Sequence, residues 1–129
     1  MHRFCLLLSL SLFAAPAAAA PEWRQSREVE VLLSNLDIQP ETMRFRAGEP
    51  VRLRFINNST IRHSFSAGDF FRKAEFRARD ADGVRGGSIE VGAGDVREVL
   101  LVPAGGRYSA HCSNLFHRIM GMRARMLVE

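Results

Sequence analysis

Cysteine is scarce in this 129-residue chain, with one residue at position 5 and one at 112. Lysine is scarcer: Lys73 is the only one among 18 basic residues. The arginines are scattered without a clustered run, and aromatics make up only 9% of the chain, so the clustered charge and stacking groups of a nucleic-acid binder are missing. Beyond Ala20 no apolar run approaches the roughly 18 residues that a membrane-spanning helix needs. The length and the 47% hydrophobic content suit one globular domain around one core.

What is present begins with a leader-like segment. His2 and Arg3 precede an apolar run from Phe4 to Ala15, followed by the small residues of APAAAAP, a pattern that reads as a secretory signal peptide over residues 1–20. Cleavage is expected near Ala20, or one residue earlier because Pro21 disfavours that bond, leaving a domain over 21–129. Cys5 lies too close to Met1, with no small residues before it, to be a lipid anchor. The expected mature protein is soluble and periplasmic or secreted. It keeps Cys112 as its single cysteine, so an intramolecular disulfide is excluded. A lone thiol in an oxidising compartment implies burial, metal ligation or reactivity. Losing Arg3 takes one basic residue from 18 against 14 acidic, a net charge of +3 that reads as a solvated surface.

The rest of the chain carries mostly strand signals. Val29 to Leu33, Met43 to Phe45, Val51 to Asn57, Ser88 to Val91, Val96 to Val102 and Met122 to Val128 show alternation or β-branched runs. QPE, AGEP, NNS, DADG, VGAGD and PAGG separate them with turn chemistry. Short, regularly spaced strands predict an all-β fold, a sandwich or small barrel. The stretch from Asp69 to Arg79 is expected to be a short helix or an irregular excursion.

Near the C-terminus, YSAHCSNLFHRIMGMRARMLVE crowds a cysteine, two histidines and three methionines between two strand-like runs. If Tyr108 to Cys112 is extended, Tyr108, Ala110 and Cys112 share one face and Ser109 and His111 the other. Past the loop, Met122, Ala124, Met126 and Val128 share a face opposite Arg123 and Arg125. The arginines belong in water, so Cys112 and Met122 are expected at the inner ends of two strands, with His117 on the loop between them. Soft sulfur and imidazole donors in one loop suggest a metal.

Cys112-x4-His117-x4-Met122, after a strand holding Tyr108 and before a final strand, resembles the copper loop of the cupredoxins, the blue or type 1 copper proteins. The two four-residue spacings are most similar to rusticyanin-like loops and to the type 1 site of multicopper oxidases. The resemblance covers nearly all of 21–129 and implies a Greek-key β-sandwich holding one type 1 copper ion. It also implies a fourth ligand in an upstream loop after a strand, a position that His63 matches. Met122 is preferred over Met120 because strand parity returns it to the Cys112 side. His111 is expected to point away. Copper is favoured over zinc because a thiolate, two imidazoles and a weak thioether suit both Cu(I) and Cu(II), whereas zinc prefers four strong ligands. Binding must displace protons from His63 and His117, so it weakens at low pH.

The chain departs from the family in informative places. It reads His111-Cys112-Ser113 where multicopper oxidases read His-Cys-His, and it lacks their His-x-His pairs, so oxygen reduction by this chain alone is not expected. One loop cysteine excludes the binuclear copper centre of cytochrome oxidase. Ser64 follows His63 where many relatives place an Asn that ties the two ligand loops together. A Cys/His hydrolase lacks a third orienting group or an oxyanion element.

The resemblance therefore implies a monomeric, non-enzymatic electron carrier with the His117 edge as electron port. Leu115, Phe116, Ile119 and Met120 would form a small apolar patch for brief docking on redox partner proteins. Arg62, Arg72, Lys73 and Arg118 are expected to border it and steer acidic partners. The alternative is a copper-binding protein for storage, delivery or resistance, for which His111, Met120 and Met126 are surplus donors. A third reading is a cupredoxin-like binding module without copper.

Overall fold

The computed structural model describes residues 13–16, 19–114 and 120–129. His117 lies outside them, as do Leu115, Phe116, Arg118, Ile119 and most of the expected leader. Among the described residues, ten strands form: β1 (Arg27–Leu33), β2 (Ile38–Gln39), β3 (Thr42–Phe45), β4 (Val51–Asn57), β5 (His63–Ser66), β6 (Glu75–Phe76), β7 (Ser88–Val91), β8 (Val96–Val102), β9 (Gly106–His111) and β10 (Arg123–Val128). They assemble into two five-stranded sheets, β2-β1-β4-β8-β6 and β3-β10-β9-β5-β7. Parallel pairs β1/β4 and β3/β10 interrupt otherwise antiparallel ladders.

Period-two patterning builds the sandwich. In β4, Val51, Leu53, Phe55 and Asn57 are buried while Arg52, Arg54 and Ile56 are partly exposed, and in β10 Ala124, Met126 and Val128 turn inward between exposed Arg123 and Arg125. Aromatic rings fill the space between the sheets. Phe55 of the first sheet meets Phe65 of the second at 4.9 Å, Phe65 meets Phe71 at 6.1 Å, and Phe70 meets Tyr108 at 5.4 Å, spacings at which aromatic pairs attract beyond the area they bury.

The stretch over 69–79, expected to be a short helix or an irregular excursion, contains a short helix and then leaves it. Helix α1 (Gly68–Lys73) gives way to β6 and then to a 3-10 turn over Ala78–Gly83. Phe70 and Phe71 are buried, and Phe76 packs 6.1 Å from Phe71. On one continuous helix Phe76 would sit about 240° around from Phe70, away from the core, so the chain straightens at Ala74, burying Phe70 and Phe71 and packing the partly buried Phe76 against the core. Gly87 permits the close approach of this segment. At φ 75°, a Cβ there would lie 2.6 Å from the Gly68 Cα, and its carbonyl accepts the Ala67 N–H at 2.9 Å. No helix among the described residues is long and apolar enough to cross a membrane.

Candidate metal centre

His63 is delivered by a loop wound around one side chain. Asn57, buried at the end of β4, donates its amide to the carbonyls of Ile61 at 2.8 Å and Val91 at 3.0 Å. Its Oδ1 accepts the Ser59 N–H at 3.0 Å and the Ser59 hydroxyl at 2.7 Å. Four hydrogen bonds satisfy the whole amide, so 58–62 has little freedom as it crosses from the first sheet to the second. Sequence reasoning took NNS as a plain turn and missed this role. The signal was the N-x-S spacing, in which an Asn side chain bonds the backbone two residues on.

The crossing ends at His63, which is the first residue of β5, opposite Val91 of β7, rather than part of a loop. Strand parity turns His63 to the same side as Phe65, whose ring is in the core, and His63 is 1% exposed. On β9, Tyr108 and Ala110 point inward and Cys112, just past the strand end, continues that face at 1% exposure. Met122, just before β10, is 0% exposed, and the Cys112 N–H donates to its carbonyl at 3.3 Å. Because β10, β9 and β5 are neighbours, the structure brings His63, Cys112 and Met122 to the same end of the second sheet, all on its core side. The parity expected for Cys112 and Met122 is the parity observed.

Ser64 joins the two chain segments. Its hydroxyl oxygen accepts the Ser113 N–H at 2.8 Å, shares a hydrogen bond with the Ser113 hydroxyl at 2.6 Å and lies 3.7 Å from Cys112 Sγ. The tie that the resemblance assigned to an Asn is thus made by a serine, across 49 sequence positions. A hydroxyl has one hydrogen, so Ser64 can donate to the Ser113 oxygen or to the sulfur at any moment, not to both. Ser113 is the second residue of this clasp that sequence reasoning passed over.

Around the three buried residues the other candidates separate. Met120 is 53% exposed, whereas Met126 is fully buried in the core. His111 faces away from Cys112, paired in register with Arg123 and Ser66. The expected basic border is mostly engaged elsewhere: Arg62 pairs with Glu90 at 3.4 Å, Arg72 with Asp69 at 2.7 Å, and Lys73 lies 5.7 Å from the Tyr108 ring centroid. Among the described residues no group of three or more His, Cys, Asp or Glu side chains is arranged for a metal. His63 and Cys112 are two residues of those types, and the Met122 thioether is a donor of another kind. One imidazole and two sulfurs, all buried on one face, are a soft donor set that fits copper and not magnesium or calcium.

No protein-family model and no curated protein matches the sequence. Solved structures do match. Dithionite-reduced auracyanin from the photosynthetic bacterium Roseiflexus castenholzii aligns with a TM-score of 0.60 at 17% identity, over 81% of this chain and 98% of that one. Auracyanin B aligns with a TM-score of 0.60 at 19% identity, over 88% and 93%. A multicopper oxidase from Campylobacter jejuni, described as a metallo-oxidase, aligns with a TM-score of 0.61 at 14% identity, over 91% of this chain but only 32% of its own length. The fold is therefore a cupredoxin-like β-sandwich.

Proposed function

We propose that the chain is an exported electron-transfer protein with one type 1 copper ion held by His63, Cys112, His117 and Met122. The observation that carries this reading is the placement of His63, Cys112 and Met122, all buried and facing the core at one end of one sheet, with the Ser64 clasp between their segments. Bound copper would supply a one-electron couple between Cu(I) and Cu(II). The chain's own residues do the rest. The β9/β10 ladder fixes Cys112 beside Met122, and tight packing behind them resists rearrangement of the donors. Burial keeps both sulfurs out of water, and the Ser64 hydroxyl near Cys112 Sγ tunes the thiolate. Burial also favours Met122 over the exposed Met120 as the thioether donor.

One structural neighbour was reduced with dithionite and another is a multicopper oxidase, and a fold shared with redox and copper proteins supports the same assignment. In this reading residues 1–20 are a leader, the remaining domain is a periplasmic or secreted monomer, and its partners are redox proteins that dock at the loop bearing His117. Copper storage or delivery is the competing reading, favoured by one feature, the solvent-facing Met120 thioether beside the loop.

Copper stoichiometry and a visible spectrum of the purified protein, alone and as Cys112→Ser, separate the two. One copper per chain with a strong thiolate-to-Cu(II) band that Cys112→Ser abolishes is the expected outcome. A colourless protein that holds only Cu(I) would transfer the assignment to storage or delivery. Failure to bind copper at all would remove both.

A further inference from the structure

The two outer faces of the sandwich differ in charge. On the first sheet, register sets Glu28 opposite Arg52 and places Arg54 between Glu30 and Glu98. Ion pairs follow at 3.0 Å for Arg54–Glu30, 3.4 Å for Arg52–Glu98 and 3.5 Å for Arg54–Glu98. On the second sheet, β10 lies between β3 and β9 and sends Arg123 and Arg125 outward, with Arg125 flanked by Thr42 and Ser109. One step along, Leu127 is flanked by Arg44 and Arg107. All four arginines are exposed, and among the described residues none of them is in an ion pair; Glu41 lies beside Arg123 and Arg125, and Glu49 and Glu129 lie at the far margin around Arg44.

A groove of about 670 Å³ lined by Ser109, Arg123 and Arg125 adjoins a second of about 430 Å³ lined by Arg44, Arg107 and Arg125, the two sharing Ser109 and Arg125. Arg123 and Arg125 are two residues apart on one strand face, about 7 Å of rise, which is also the repeat of alternate side chains on any extended chain. Guanidinium groups at that interval match carboxylates at alternate positions of an extended peptide, and each can bind its carboxylate through two parallel hydrogen bonds. None of the large exposed apolar residues Phe13, Leu36, Ile61, Val96 and Met120 lines either groove, and Tyr108, the one Phe, Tyr or Trp among the lining residues, is buried, so the face lacks the wedge for a bilayer and a broad platform for bases.

We propose that the outer face of β3, β10 and β9 is a docking site for an extended segment of a partner protein carrying Asp or Glu at alternate positions. It needs no copper and stands whether or not the metal assignment does. The test titrates the purified protein into a fluorescein-labelled twelve-residue peptide of alternating Glu and Thr and follows anisotropy. Saturable binding is expected, weakened about tenfold by Arg125→Glu and by the milder Arg125→Gln, while Arg97→Glu at an exposed position of β8, the same change in net charge as Arg125→Glu, leaves it within about twofold. In the unaltered protein, the amide resonances of Thr42, Ser109 and Arg125 move during the titration. Equal losses for Arg97→Glu and Arg125→Glu, or shifts on β1 and β4 instead, would overturn the proposal. Tighter binding to oligo-thymidylate or to phosphatidylglycerol vesicles than to the peptide would overturn it in favour of a nucleic acid or a lipid surface.

Discussion

Ser64 carries more of the site than its size suggests. Deleting its hydroxyl leaves the Ser113 N–H without its acceptor and frees one chain segment from the other. Ser64→Ala should cost about 1–2 kcal/mol, lowering Tm by roughly 4–8 °C per kcal/mol for a domain of this size. The same change alters the hydrogen bonding near Cys112 Sγ, so the copper-loaded variant should show a shifted reduction potential by voltammetry. An unchanged potential with lowered Tm would make Ser64 a purely structural clasp. Asn57 is the other residue whose loss should be felt. Asn57→Ala strands two carbonyls and an N–H at the entrance to β5 and is expected to cost about 2–3 kcal/mol in urea unfolding.

At the scale of elements, strands that bury every second residue were legible, because VRLRFIN and MRARMLV state their own period. β5 was not. HSFS has one large apolar residue between two serines, and only its neighbours on the second sheet make it a strand. The two-residue strands β2 and β6 are set by pairing partners as well, which no local pattern announces. The excursion after α1 is held by Arg77, which grips Asp80 through two hydrogen bonds at 2.6 and 3.0 Å, while Asp80 accepts the Leu100 N–H at 3.2 Å. The hydrogen bond to Asp80 raises the Arg77 pKa, the first of several causes. A raised folded-state value means the contribution of Arg77 is fully present below the ordinary arginine pKa, and so throughout the physiological range. Asp80→Asn should accordingly speed hydrogen exchange at the Leu100 amide at neutral pH, leaving exchange in β9 unchanged.

For the molecule as a whole, stability is expected to reside in the aromatic core and not in surface charge. Phe65, fully buried and ringed by Phe55 and Phe71, should cost about 3–5 kcal/mol as Phe65→Ala in denaturant unfolding. Glu98→Gln, which breaks two half-exposed ion pairs, should cost less than about 1 kcal/mol, and a larger loss would mean that the network acts cooperatively. The facing of Cys112 and Met122 was readable beforehand. What no sequence pattern disclosed was the cationic outer face, because Arg44, Arg107, Arg123 and Arg125 are scattered in sequence and become neighbours only through the β3/β10 and β9/β10 pairings.

Those pairings bear on how a cofactor would arrive. In the proposed set Cys112, His117 and Met122 are close in sequence, but His63 joins that end of the sheet only after β5 has paired beside β9, so an unfolded chain offers an ion only part of the set. Assembly would run in one order, polypeptide first and copper second, unlike small zinc modules in which the metal organises the peptide. Stripping with a chelator should then leave the far-ultraviolet circular dichroism of the sandwich intact, and re-addition should refill it without refolding.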